Sequence, residues 1–287
     1  MSPRIRIACA ALLFSTGGAA IKAADFTAWQ VASFRSGIAA LTLLILVPQA
    51  RRGIGWKPAL VGIAYAATLV LFVLANRLTT SANTIYLQST APLYVLLLAP
   101  FLLRERIRRS DLPIIAAVFG GLILVFLGVD HPSATAPDPA RGNLLAAGSG
   151  VTYAFLLIGL RWLGRGDTVD RGVPAVLLGN CFACLAALPM AMPVGVHPWH
   201  AWTVILYLGI FQIAGAYLLI TSALRHIPAI EASLMLLVET AFNPVWSWLV
   251  LGEVPAALAL VGGGLIVGAT ILQAIRAPSP VPVPDLV

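Results

Sequence analysis

The chain has 287 residues, is 60% hydrophobic and only 10% charged, and has a mean hydropathy of +0.93. A soluble domain carries about 25% charged residues, so this chain cannot shield its apolar surface from water and takes lipid as its solvent. The net charge of +7 does not mark a nucleic-acid binder, because the basic residues sit in short loops between apolar runs rather than on one face.

Runs of about 20 apolar residues cross some 30 Å of hydrocarbon, and in lipid they must be helices, which satisfy their own backbone. Ten such spans are predicted: 4–22, 28–47, 58–76, 82–103, 111–129, 142–160, 172–193, 200–222, 228–251 and 255–274. Arg4 and Arg6 before the first run, with Ala23 and Ala24 after it, imitate a cleavable signal peptide. The run is kept as a span, since removing it would leave nine and break the duplication described below. Asp130 to Ala140 is the longest polar connection, and its prolines mark a loop. The tail 277–287 has prolines at alternate positions and is expected to be extended and disordered.

With the N-terminus in the cytoplasm, only Lys22, Arg77 and Arg141 of the 18 Lys and Arg fall in outside segments, and Arg35 lies within a span. The remainder lie inside, so the positive-inside rule puts both termini in the cytoplasm. The stretch from Leu74 to Ile107 returns as Ser222 to Pro255. Arg77 matches Arg225, Glu105 matches Glu253, Ala75 matches Ala223 and Leu103 matches Leu251, all in one register. Weak symmetry at half-chain spacing is the mark of a duplicated membrane carrier. Five spans per copy is odd, so the second copy enters the membrane upside down. The expected organisation is an all-α membrane protein of ten transmembrane helices in two inverted five-helix repeats, 1–130 and 142–276, joined by 131–141.

Both copies resemble the EamA-type carriers of the drug/metabolite transporter superfamily. In that family the fourth and ninth helices end in a Leu-Gly-Glu-like stop, with a proline thirteen residues upstream of its glutamate. Here the first copy has Pro92 and Leu103-Arg104-Glu105-Arg106, and the second has Glu239-Thr240 and Leu251-Gly252-Glu253. Thr240 replaces the second proline, and Pro244 follows one turn later. Phe34-Arg35, Tyr153 with Arg161, and the Leu-Arg-His-Ile-Pro turn at 224–228 extend the likeness over nearly the whole chain. The resemblance implies a central cavity lined by all spans but the fifth and tenth, opened to one side at a time. It also implies export of amino acids or related metabolites from the bacterial inner membrane, the Ser15-Thr16-Gly17-Gly18 stretch with Lys22 being similar to the group's aromatic amino-acid exporters.

Polar groups inside spans are expensive and are therefore the candidates for binding substrate near the midplane. Glu239 lies close to the bilayer centre, as a proton-coupling group, a partner for a substrate ammonium, or a structural carboxyl. Met235, Phe242, Asn243 and Trp246 share its helical face. The fourth span offers Asn83, Tyr86, Leu87, Thr90 and Tyr94 on one face, and the third offers Tyr65, Thr68, Phe72 and Asn76. Thr16, Gly17 and Tyr153 complete the expected substrate-binding set, with Tyr207, Phe211 and Tyr217 as weaker members. Lys22 and Arg35 are read as structural or coupling charges, and Glu105 and Glu253 as helix stops or gate contacts.

Nothing in the sequence calls for a cofactor or a metal. Cys181 and Cys184 form a C-x-x-C inside a span with no second ligand pair, which reads as two small residues one turn apart. The four His sit in loops or at span ends, and no H-E-x-x-H, G-x-S-x-G or P-loop is present. The expectation is a transporter, not an enzyme, whose partners are a small-molecule substrate and the lipid bilayer; the oligomeric state is left open. The alternatives are a drug or nucleotide-sugar carrier of the same superfamily and, in another class, an integral-membrane enzyme using Glu239.

Overall fold

The computed structural model describes residues 2–102, 112–128, 132–163, 171–224 and 229–276. The Arg104-Glu105-Arg106 stop, residues 225–228 and the tail from Ala277 lie outside the described residues. All regular structure among the described residues is helical: α1 (Pro3–Ser15), α2 (Gly17–Ala23), α3 (Ala28–Leu46), α4 (Trp56–Leu78), α5 (Ser81–Gln88), α6 (Ala91–Leu102), α7 (Leu112–Leu127), α8 (Pro139–Leu163), α9 (Gly172–Ala191), α10 (Trp199–Tyr207), α11 (Ala216–Leu224), α12 (Ala229–Leu251) and α13 (Ala257–Arg276).

Among the described residues, six helical stretches are long and apolar enough to cross a membrane: Pro3–Ala23, Ala28–Leu46, Trp56–Leu78, Pro139–Leu160, Gly172–Ala191 and Trp199–Ile220. Leu112–Leu127 and Ala257–Leu272 are shorter apolar helices. Three of the ten expected spans carry irregularities. The first breaks at Thr16, between α1 and α2, and the fourth breaks at Ser89–Thr90, between α5 and α6. Between α10 and α11 the backbone widens into a π-helical stretch, Leu208–Gly215. Wide turns of this kind mark functional places in helices.

Local chemistry sets the helix ends. Thr27 and Gln30 form a reciprocal capping box at the start of α3. Thr80 caps α5 by accepting from the Asn83 backbone N–H at 3.2 Å. At the end of α12, Gly252 takes φ +67, a conformation that favours glycine. Its N–H donates to Trp248 O, the 5→1 bond of the αL motif, and the Glu253 N–H donates to Ser247 O. The Gly252 turn thereby folds Glu253 back against the protein.

Large apolar side chains face outward: Leu41, Ile45, Ile63, Phe101, Ile123, Leu185, Trp248 and Val261 are all exposed. The interior holds alanines together with Ser33, Arg35, Asn76, Ser81, Asn143 and Asn243. Such a distribution suits lipid, in which tight association comes from small side chains and interhelical hydrogen bonds. The packing also repeats when the two halves are exchanged: α1 lies on α12 as α6 lies on α8, and α4 lies on α8 as α11 lies on α1.

The α7–α13 contact is the tightest test of this packing. A Cβ on Gly121 would meet Gly262 O at 2.6 Å, and one on Gly262 would meet Gly121 O at 2.5 Å, whereas Gly264 faces open space. Gly262→Val is expected to cost about 1–3 kcal/mol by overpacking, and Gly264→Val less than about 0.5 kcal/mol. Denaturation midpoints of the detergent-purified variants check the contrast.

Candidate functional site: a tied end and a polar midlayer

A buried ion pair joins the two halves of the chain at one end of the bundle. Lys22 Nζ, in the last turn of α2, donates to Glu253 Oε1 at 2.5 Å, to Thr135 O at 2.6 Å and to Thr79 O at 2.7 Å. Glu253 Oε2 accepts from the Ser81 backbone N–H at 2.9 Å. The side chains are 4% and 3% exposed. A cation at the C-terminus of α2 and a carboxylate at the N-terminus of α5 also complement the two helix dipoles. Three ammonium protons thus find three acceptors. Four segments meet here: α2, the α4–α5 turn, the 132–138 connection and the end of α12.

Neighbouring contacts close the same end. Arg77 Nη2 donates to Ala24 O at 2.6 Å and to Phe26 O at 2.7 Å. Thr79 Oγ1 donates to Asn143 Oδ1 at 2.7 Å, and Asn83 Nδ2 reaches the same oxygen at 3.3 Å. Asp138 N–H donates to Leu78 O. Phe26, Phe34, His197 and Trp202 stack into one aromatic cluster between the α2–α3 turn and the start of α10.

At mid-depth the helices are joined by hydroxyls and amides. Thr68 Oγ1 donates to Thr152 Oγ1 at 3.0 Å, Gln88 Nε2 to Ser149 Oγ at 2.7 Å, and Ser89 and Thr240 share a bond at 3.2 Å. Ser89–Thr240 is the place where the fourth and ninth expected spans touch. A second group surrounds the break in the first span. Gln212 lies against Gly17, and Asn243 and Ser81 against Gly18. Asn76 Nδ2, Gln212 Oε1, Ser247 Oγ and both side-chain polar atoms of Asn243 have no hydrogen-bond partner among the described residues. On the outer flank of this group, Thr16, Ala20, Tyr207, Trp246 and Val250 line a cleft of about 370 Å³. There Thr16 and Tyr207 bond at 2.8 Å, and Trp246 Nε1 donates to Ser15 Oγ at 2.9 Å.

The residues expected from sequence therefore fall into separate places. Thr16 and Trp246 line the cleft, Gly17, Asn76 and Asn243 the amide group behind it, and Asn83 the tied end. Tyr86 packs on Gly263 of α13, and Tyr94 joins Phe119, Leu122 and Phe126 along a groove of about 400 Å³ beside α7. Thr90 is buried, and its hydroxyl donates to Leu87 O. Phe242 is 41% exposed while Asn243 is 0% exposed, so the two do not share one wall. Met235 has no described side chain. Tyr153, Glu239 and Tyr65 are each partly exposed. Asn143, Gln212 and Ser81 were not singled out from sequence; their signal was the rarity of amides and serines inside apolar runs.

Two segments, residues 4–127 and 140–274, match the model of the EamA-like transporter family. The chain belongs to that family. It is 30% identical over 274 residues to the pseudopaline exporter CntI of Pseudomonas aeruginosa, covering 91% of this chain and 92% of the relative. It is 27% identical over 215 residues to the threonine/homoserine exporter RhtA of Escherichia coli, covering 73% of this chain and 68% of that one. A solved crystal structure, described only as that of a protein, superimposes with a TM-score of 0.62 at 21% identity over 96% of this chain and 98% of that chain. That likeness speaks for the fold alone. The EamA-family chain is accordingly a multi-pass membrane transporter and not an enzyme.

Removing one partner of a buried pair strands the other charge at about 3–5 kcal/mol, whereas replacing both with apolar residues is often near neutral. Lys22→Met and Glu253→Leu are each expected to destabilise the purified protein strongly, and the double variant less than either. A double-mutant cycle on denaturation midpoints measures that coupling.

Proposed function

We propose that this EamA-family protein exports amino acids or related small metabolites across the bacterial inner membrane by alternating access. In this reading the ten expected spans form two inverted five-helix repeats with both termini in the cytoplasm. The reciprocal packing of the two halves supports it, as does the excess of Lys and Arg in the inside segments. The exporter names of two relatives support the direction and the solute class.

The observation that carries the mechanism is the Lys22–Glu253 tie. Both residues belong to outside segments in the charge-derived orientation, so their contact closes the outer end. Lys22 comes from the first half and Glu253 from the second. Opening outward must separate them, with Thr135 O and the Ser81 N–H losing their partners at the same time. Solute then shifts the equilibrium only by its differential affinity for the open and closed arrangements. A nucleotide-sugar cargo is disfavoured, since Arg35 is the one cation deep within a described helix and phosphates call for several.

Counterflow of labelled amino acids in proteoliposomes tests the transport reading, and saturable exchange is the expected result. The gate is tested by labelling. With Cys9, Cys181 and Cys184 replaced by alanine, a cysteine at Thr80 is expected to react slowly with an impermeant maleimide applied from outside. Glu253→Gln is expected to raise that rate about tenfold or more, corresponding to roughly 1.4 kcal/mol of lost closure. An unchanged rate would show that the tie does not control the outer end.

A further inference from the structure

At the end of the bundle opposite the tie, cations and indoles meet on an exposed corner. α4 and α8 run antiparallel: a Cβ on Gly142 would meet Thr79 at 2.6 Å, Thr68 bonds Thr152, and a Cβ on Gly159 would meet Val61 at 2.7 Å. The same register brings Trp56, the first residue of α4, to Trp162, the last but one of α8. Their ring centroids lie 5.8 Å apart at 59°. α4 has 23 residues, about 34 Å of helix, so its ends reach the two faces of a hydrocarbon core about 30 Å thick. Trp56 is 70% exposed at one of those faces.

Lys57 Nζ sits over both indoles, 5.9 Å from the Trp56 centroid and 5.4 Å from that of Trp162. Its three N–H groups make no hydrogen bond or ion pair among the described residues. The turn before α4 adds two cations. Arg51 Nε donates to Leu44 O at 2.7 Å, which leaves its Nη donors unused among the described residues, and Arg52 is exposed. This turn is anchored: Ala50 is buried with Val47 among Val173 and Val176 of α9, and Gly53 turns the chain at φ +75. No Asp or Glu occurs between Asp25 and Glu105. Beyond Trp162, the stretch 161–171 holds Arg161, Arg165 and Arg171 against Asp167 and Asp170, so its net sign is the same. Ile45, Leu46, Ile54 and Leu60 are exposed on the same segments.

An aromatic belt accounts for indoles at an interface. It does not account for an ammonium held between two of them with its N–H groups unused, or for two guanidinium groups on a buried anchor nearby in the chain. We propose that this corner docks the headgroup of an anionic phospholipid. Lys57, Arg51 and Arg52 donate to the phosphate, and the acyl chains lie over the exposed aliphatic side chains. Each cation near the surface favours an anionic lipid about fivefold. A choline headgroup brings a cation of its own to rings that Lys57 already occupies, which disfavours a zwitterionic lipid. In the charge-derived orientation this is the cytoplasmic end.

Native mass spectrometry of the full chain in detergent tests the proposal, with equimolar dioleoylphosphatidylglycerol and dioleoylphosphatidylcholine as probes. The two share their acyl chains and differ in the headgroup. The first lipid retained is expected to be phosphatidylglycerol by about tenfold or more. Lys57→Gln combined with Arg52→Gln should bring the ratio close to unity. Arg4→Gln combined with Arg6→Gln removes the same charge from the N-terminus and should leave the ratio unchanged. Trp162→Leu keeps every charge and should lower the preference about twofold or more, because the ammonium loses one of its rings. Denaturation midpoints check that each variant is folded; if the Lys57/Arg52 double variant is not, Lys57→Gln alone reads the same contact, with an expected fall of about fivefold. Equal retention of both lipids by the unmodified protein overturns the proposal. So does an equal fall in the N-terminal control, or an unchanged ratio in Trp162→Leu, since either would show attraction to a basic chain rather than to this corner.

Discussion

A lysine and a glutamate 231 residues apart in sequence share one hydrogen bond, and much of the remaining architecture serves to make that possible. In lipid a lone ammonium or carboxylate is costly, so the pair must be assembled together with every other bond its atoms need. Gly252 ends α12 and turns Glu253 inward. Thr80 starts α5 so that the Ser81 N–H is free to meet the carboxylate. The α2 helix stops where Lys22 can reach two backbone carbonyls. Each helix end is thus set by local chemistry, and the sum is a junction that holds only while the halves are together.

The rest of the interior uses weaker, neutral bonds. Thr68 with Thr152, Gln88 with Ser149 and Ser89 with Thr240 bind the central helices through hydroxyls and amides. Individual interhelical bonds of this kind are worth little in membranes, which in the proposed cycle suits surfaces that slide and re-form. One buried ionic junction at an end thus stands against several modest neutral bonds at mid-depth, and in the proposed cycle the first would hold the bundle shut while the second would let it move.

Several spans were legible because lipid imposes a length and a composition. The third was expected at 58–76 and the helix runs Trp56–Leu78; the seventh was expected at 172–193 and runs Gly172–Ala191. Site geometry was less legible. Grouping Asn83, Tyr86, Thr90 and Tyr94 on one face assumes an unbroken helix, and the turn at Ser89–Thr90 interrupts that count. Tyr86 consequently meets α13 while Tyr94 lies beside α7. Lys22 and Glu253 were each recognisable as boundary charges. Their partnership depends on how the halves fold together, which no local pattern encodes.

The segment that joins the halves is itself part of the junction. Thr135 gives its carbonyl to Lys22, Ser133 and Ala136 pair across a tight bend, and the Asp138 N–H is held by Leu78 O. A connector anchored at both the bolt and the frame behaves like a door chain. In the proposed cycle, in which this bolt is drawn, the distance the two ends can part is limited by the few residues around Thr135 that tie Lys22 to the frame. In the proposed alternating-access cycle, the covalent linker would thereby become a stop on the amplitude of opening.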